Sequence, residues 1–424
     1  MSSVNTDCPP GFQLVPLSYL AVGAKLREPI FDAGSMDRDL LLLAAGKKIS
    51  QGVLDQLAKR GVTEVRISIR ELQRMQKAKS ALSDPNSAAS AAVKRASHIE
   101  LRDVSQKFGV SVKSHINQVK QHGETAYQSE KLQTFVEAYQ ETTKNVASLL
   151  DGMCSGDIPE TADLVGVSQT QIDQIAEDMD LVVSLGLHSK SAISATQRSL
   201  KTAMHAMSVG TTLGLPANEL VELGIGCLVH DVGMRFVPPE LINSPNRLDD
   251  IDFLEVTKHP SITFDLLREL PDVPTGSRMV AYQMHERWNG SGYPRQRHGV
   301  QIHTLARIAM VADVFIALLT PRPDRPAILP YDAMRRVLEM TQEGLFDPEV
   351  VRGLLKTTSL FPIGSYVALN DSRTARVVRA HRELFTRPVV EIISLNDKNK
   401  SPEVVNIATA PGLEIVRAVP NPFT

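Results

Sequence analysis

Leu228-Val229-His230-Asp231-Val232-Gly233 opens a stretch that passes through Lys258-His259-Pro260 and closes with His285-Glu286-Arg287-Trp288-Asn289-Gly290-Ser291-Gly292-Tyr293-Pro294. Val311-Ala312-Asp313-Val314-Phe315 follows it. Imidazoles and carboxylates stand here at the ends of apolar helical runs, the pattern expected of a metal site built between the helices of a bundle. Three imidazoles (His230, His259, His285) and two carboxylates (Asp231, Asp313) make a mixed nitrogen and oxygen set. Such a set suits iron, manganese or zinc better than calcium, which takes oxygen alone. Two such ions held close together lower the pKa of a water and clamp a phosphoryl oxygen, with Asp231 as the carboxylate able to bridge them. The competing reading is a group of satisfied core histidines and local caps.

The flanks of this stretch read as helix. Ile172, Ile175, Ala176, Met179, Val182 and Val183 line one face of a helix over Ser168 to Leu187. A second runs from Ser189 to Leu213 and ends at Gly214. Pro216 suits the first turn of a third, which carries Leu220, Leu223, Cys227 and Leu228 into His230-Asp231. Further upstream, Leu132, Phe135, Val136, Tyr139, Val146, Leu149 and Leu150 recur at helical steps. That stripe suits packing or the seam of a homodimer.

Farther out the texture changes on both sides. Leu14 to Ser68 reads as a compact α/β unit, with strands at Leu26 to Phe31, Leu40 to Ala44 and Val62 to Ile67. A turn is expected at Gly46-Lys47-Lys48, and a helix after Ser50 that stops at Gly61. Lys77 to Ser97 is rich in Ala, Ser and Lys and cannot bury a core, so it is expected to be a flexible linker. After Phe361, short β-rich runs at Gly364 to Leu369, Thr374 to Arg379, Val389 to Leu395 and Leu413 to Ala418 alternate with turn chemistry. The expected organisation is a small α/β docking or regulatory domain (1–76), a linker (77–98), a helical connector (99–167), a mainly α helical-bundle domain (168–357) and a small antiparallel β module (358–424).

The bulk numbers fit a chain of several domains: 424 residues, 42% hydrophobic and 22% charged. The net charge of −2 gives no basic excess for a nucleic-acid polymer. Cys8, Cys154 and Cys227 form neither a disulfide framework nor a zinc ribbon. Met1 to Asp7 lacks the basic and apolar regions of a signal peptide, and no apolar run is long enough to span a membrane. A cytoplasmic location is expected.

His230-Asp231-Val232-Gly233, Lys258-His259-Pro260, His285 to Pro294 and Arg307 to Phe315 resemble the HD-GYP domain, a branch of the HD metal-dependent phosphohydrolases. The resemblance covers about Ser168 to Leu355, and the loop around Gly292-Tyr293-Pro294 is its most specific part. Leu305 to Ile308, Arg322-Pro323 and Gly344 to Glu349 fall where the family would place them. The resemblance implies an all-α HD-type bundle with a centre of two or three metals, formed here by His230, Asp231, His259, His285 and Asp313. It implies hydrolysis of cyclic di-GMP, in bacterial signalling, to the linear dinucleotide or to GMP. It also implies substrate contacts from Gly292, Tyr293 and Pro294, and a phosphate contact from Arg307.

The departures are equally specific. Arg198 stands where the family has a histidine, Met234 where it has a lysine, and Met284 where it has the first of two histidines. Ile316 and Asp324 replace a usual acid and tyrosine. Arginine stays protonated and cannot ligate a metal. Arg198 is therefore expected to repel a cation, or to replace one by pairing with Asp231 or Asp313. His205 lies two turns on, about 10 Å along the same helix, too far to substitute.

Three readings stay open. The first is a cyclic di-GMP phosphodiesterase with one or two divalent ions, iron or manganese. The second is a degenerate domain, with or without an ion, which acts as a nucleotide sensor or contacts a signalling-protein partner. The third is a phosphohydrolase for another nucleotide.

Overall fold

The computed structural model describes residues 12–20, 26, 28–33, 41–43, 49, 51–72, 108–125, 127, 129–155, 159–187, 193–246, 248–270, 272–321, 325–393 and 403–423. The linker expected at Lys77 to Ser97, the turn at Gly46-Lys47-Lys48 and the positions Arg322, Pro323 and Asp324 lie outside them. The chain divides into two compact units, Met1–Glu100 and Leu101–Thr424.

In the first unit, β1 (Phe12–Pro16), β2 (Ile30–Asp32), β3 (Leu41–Leu43) and β4 (Glu64–Ser68) form an antiparallel sheet in the order β1-β4-β2-β3. The helix α1 (Gln51–Lys59) ends before Gly61, whose φ of +82° supplies the left-handed turn expected there. Val15, Ile30, Leu54, Val65 and Ile67 make its core. Sequence reading found this α/β plan but not β1.

The second unit is a helical bundle closed by a sheet. Its helices are α2 (Ser129–Ser155), α3 (Thr161–Leu187), α4 (Ala195–Thr212) and α5 (Ala217–Val229), then the short α6 (Pro239–Ile242) and α7 (Asp250–Val256). They continue with α8 (His259–Glu269), α9 (Thr275–Gln283), α10 (Thr304–Leu319), α11 (Pro330–Gln342) and α12 (Pro348–Thr358). The helices α5 and α10 bury residues on most of their circumference and lie at the centre, as helices apolar all round must. Ser194 starts α4 through a reciprocal capping box with Gln197. No helix among the described residues is long and apolar enough to cross a membrane.

The boundary expected at 167/168 falls inside α3. Leu164 and Val165 on one side of it, and Ile172 and Ile175 on the other, are buried in one continuous core. The real break in α3 comes later, at Asp178, whose backbone leaves the helical region (φ −161°, ψ 90°). Its Oδ1 accepts from the Leu181 amide at 3.1 Å, so Asp178 acts as the N-cap of the resumed helix.

The C-terminal strands β5 (Tyr366–Leu369), β6 (Thr374–Arg379), β7 (Val389–Ile392), β8 (Glu403–Asn406) and β9 (Ile415–Val419) form an antiparallel sheet, ordered β8-β7-β6-β5-β9. Val367, Ala375, Val377 and Val390 join the core of the helices. Arg379 is buried and donates to Asp178 Oδ1 at 2.5 Å and to the Thr125 carbonyl at 3.1 Å, and its guanidinium lies over Tyr127.

Candidate metal centre

The site lies where α5 ends, α8 begins, α9 ends and α10 passes. His230 caps α5 and is fully buried. Its Nδ1 lies 2.7 Å from the carbonyl of Cys227, three residues back. His259 is the first residue of α8, and its Nδ1 is 2.7 Å from the carbonyl of Val256, again three residues back. A carbonyl only accepts, so each Nδ1 carries the proton and each Nε2 presents a bare lone pair.

Those lone pairs converge. The Nε2 atoms of His230, His259 and His285 are all buried without a hydrogen-bond partner. His230 Nε2 is 3.2 Å from Asp231 Oδ1 and 3.8 Å from Asp313 Oδ1, and His259 Nε2 is 3.6 Å from Asp231 Oδ1. His230, Asp231 and His285 each present a ligand atom, all within 4.8 Å of one another. Lone pairs facing carboxylate oxygens at these distances repel unless a cation lies among them. The donor set therefore fits a divalent metal, and its nitrogen and oxygen composition fits iron, manganese or zinc.

Burial favours the neutral imidazoles that a metal requires. It lowers the pKa of His230, pushes His259 down to about 4, and holds His285 well below the ordinary value. For His285 the neighbouring His259 and His230 add to the effect.

A cation is already present. Arg198, near the start of α4, donates from Nη2 to Asp231 Oδ2, whereas the Oδ1 of the same carboxylate is the oxygen nearest His230 and His259. This is the contact expected if Arg198 pairs with Asp231. His205, two turns on, donates from Nδ1 to the Lys201 carbonyl, packs against Phe315 and stays outside the cluster.

Two close approaches hold the histidines in place. Gly233 leaves the turn after His230-Asp231 so near α8 that a Cβ there would lie 2.2 Å from the His259 carbonyl oxygen. Thr263 joins the same two segments, accepting from the Gly233 amide at 2.9 Å and donating to the His230 carbonyl at 3.0 Å. In the loop after α9, a Cβ on Gly292 would lie 2.4 Å from the Arg287 nitrogen and the Glu286 carbonyl carbon. Glu286 is fully buried, and its two oxygens accept from the amides of Arg295 (2.8 Å) and Arg297 (3.0 Å). The Tyr293 amide donates to the His285 carbonyl at 3.1 Å, and the Tyr293-Pro294 peptide is cis. The loop thus stacks the Tyr293 ring on His285, with centroids 5.1 Å apart and planes within 7°.

The other positions singled out from the sequence divide clearly. Tyr293 and Pro294 are partly buried at the mouth, whereas Gly292 is buried as a packing element. Arg307 is not joined to the histidines. Its Nη1 donates to Asp347 Oδ2 at 2.7 Å, its Nη2 donates to Thr304 at 2.8 Å, and its guanidinium lies over Trp288. Met284 fills apolar core beside His285. The partly buried Met234 lies in the 3-10 turn Val232–Phe236 and donates its amide to the Asp231 carbonyl. Sequence reasoning did not single out Glu286 or Thr263. The only signal for Glu286 was an acid beside a histidine in a glycine-rich loop, and Thr263 carried none.

Comparison with known proteins follows the same stretch. Residues 184–350 match the family described as HD domain. Cyclic di-GMP phosphodiesterase PA4108 of Pseudomonas aeruginosa is 33% identical over 212 residues, which cover 48% of this chain and 51% of that protein. The 3'3'-cGAMP-specific phosphodiesterase 3 of Vibrio cholerae is 30% identical over 162 residues, covering 38% of this chain and 35% of that protein. The chain thus spans about half or less of the length of these curated relatives. Among solved structures, Bd1817, an HDG"Y"P protein from Bdellovibrio bacteriovorus, matches with a TM-score of 0.46 at 14% identity, over 81% of this chain and 98% of its own. The matched segment carries the converging histidines and the Gly-Tyr-Pro loop together, and it is an HD domain of the HD-GYP type.

Proposed function

We propose that this chain is a metal-dependent phosphodiesterase acting on cyclic di-GMP or a closely related cyclic dinucleotide. The observation that carries this reading is the trio of buried Nε2 atoms on His230, His259 and His285, facing the carboxylates of Asp231 and Asp313. His230, Asp231 and His285 would hold a divalent ion, iron or manganese, with His259 and Asp313 completing the set. Such an ion, when bound, polarises a phosphoryl oxygen and makes water a stronger nucleophile at neutral pH. Relatives named as cyclic di-GMP and cGAMP phosphodiesterases support the substrate class.

The chain's own residues supply position and shape. The carbonyls of Cys227 and Val256 fix the tautomers of His230 and His259. Tyr293 is partly exposed and covers one face of His285, where it would border a bound substrate. The test is hydrolysis of cyclic di-GMP and 3'3'-cGAMP by purified protein loaded with manganese or iron. His230→Ala is expected to lower turnover at least about 100-fold, since it removes a ligand. Equal turnover in wild type and variant would reject the reading.

One observation favours a second reading, in which the pocket binds a cyclic dinucleotide without turnover and reports its presence to a partner. Arg198 engages the carboxylate best placed to bridge two ions. Tight cyclic di-GMP binding with no hydrolysis in any metal would select it.

A further inference from the structure

This inference rests on the cluster being a metal centre and goes beyond it to the number of ions. We infer that Arg198 is the resident counter-cation of the site, and that the centre therefore holds one divalent ion per chain rather than two. The guanidinium donates to Asp231 Oδ2, while Oδ1 of the same carboxylate faces the lone pairs of His230 and His259. Asp231 thus has one oxygen committed to a fixed positive charge and one free for an ion.

Charge counting points the same way. A histidine ligates a metal only as a neutral imidazole, so the negative charge close to the cluster is that of Asp231 and Asp313. One divalent ion together with Arg198 already exceeds it by a single positive charge. A second divalent ion would leave three uncompensated positive charges in a largely water-excluded pocket, where screening is weak.

The ligand atoms agree. His230, Asp231 and His285 lie within 4.8 Å of one another, the compass of a single ion. On the far side of Asp231 the next group is the guanidinium, which has donors and no lone pair. Arg198 is thus a positioning residue: it orients Asp231 and sets the charge that the pocket tolerates.

The experiment is elemental analysis of the full-length protein after loading with manganese and removal of free ion, beside electron paramagnetic resonance of the same samples. Wild type is expected to retain one equivalent and to show an isolated manganese spectrum. Arg198→His removes the charge and adds an imidazole, and is expected to double the manganese content and give an exchange-coupled pair. Arg198→Lys keeps the charge and is expected to stay at one equivalent. Two equivalents in wild type or in Arg198→Lys would overturn the inference, as would a folded Arg198→His that stays at one. The pattern of one, two and one without cyclic dinucleotide hydrolysis would uphold the inference and reject the phosphodiesterase reading. Hydrolysis by wild type carrying two ions would do the reverse, and a wild type that binds none would end both.

Discussion

Burial holds His205 and His259 neutral in the folded chain, each pushed down to about 4 from an ordinary 6.5. The unfolded chain protonates these groups near 6.5, so between pH 6.5 and 4 it binds more protons than the folded chain does. Stability is therefore full above 6.5 and falls as the pH drops through this window. Each such histidine costs about 1.4 kcal/mol per pH unit, or about 3 kcal/mol over the window. Metal-free protein should show a falling unfolding midpoint between pH 7 and 4.5. Burial lowers His230 and His285 in the same direction. His205→Leu, which removes one of at least four such groups, should therefore flatten that slope by about a quarter or less; an unchanged slope would show that His205 titrates elsewhere. The five candidate ligands were legible from residue type and spacing. The partner of Arg307 was not, because Asp347 lies forty positions away on another helix and only packing brings the two together. The carbonyls that fix the imidazole tautomers were also out of reach, since backbone groups leave no trace in residue identity.

Among the elements, the loop after α9 has the clearest internal logic. It is tied from within by the buried Glu286 carboxylate, and it fits only because Gly292 has no side chain. Gly292→Ala would push the loop off the Glu286-Arg287 backbone at a cost of about 1–3 kcal/mol. It would also pull Tyr293 away from His285. Metal content and hydrolysis should fall together, about tenfold or more, with a lower unfolding midpoint. Hydrolysis lost at full metal content would instead place Gly292 against the substrate. Long helices such as α3 and α4 were readable because their apolar positions repeat over several turns. The short α6 and α7 offer too few turns to show a period, and β8 has only two valines with which to announce itself. The break at Asp178 was hidden for another reason: it satisfies a cap and an arginine from a strand two hundred residues on.

At the scale of the whole second unit, the C-terminal sheet was expected to be a small antiparallel β module, most simply a closing cap for the helices. Its strands were largely legible, but the residues that attach it were not. Arg379 and Asp178 are both buried, and each is the other's closest counter-charge. Arg379→Met removes the closest counter-charge of the buried Asp178, leaving it His122 at 3.5 Å and Lys131 at 3.8 Å, and should cost up to about 3–5 kcal/mol in equilibrium unfolding of the full chain. Adding Asp178→Asn should recover part of that loss. A neutral Arg379→Met would show that this pair contributes nothing to holding the sheet. The single core shared by sheet and helices also sets how this protein can be recombined. A chimera that borrows only the matched segment, 184–350, would inherit the candidate metal ligands but strip away the strands and nearly all of α3, Asp178 included. Such a graft should express as aggregate, whereas one joined before Leu101 would move helices and sheet as a single heritable piece.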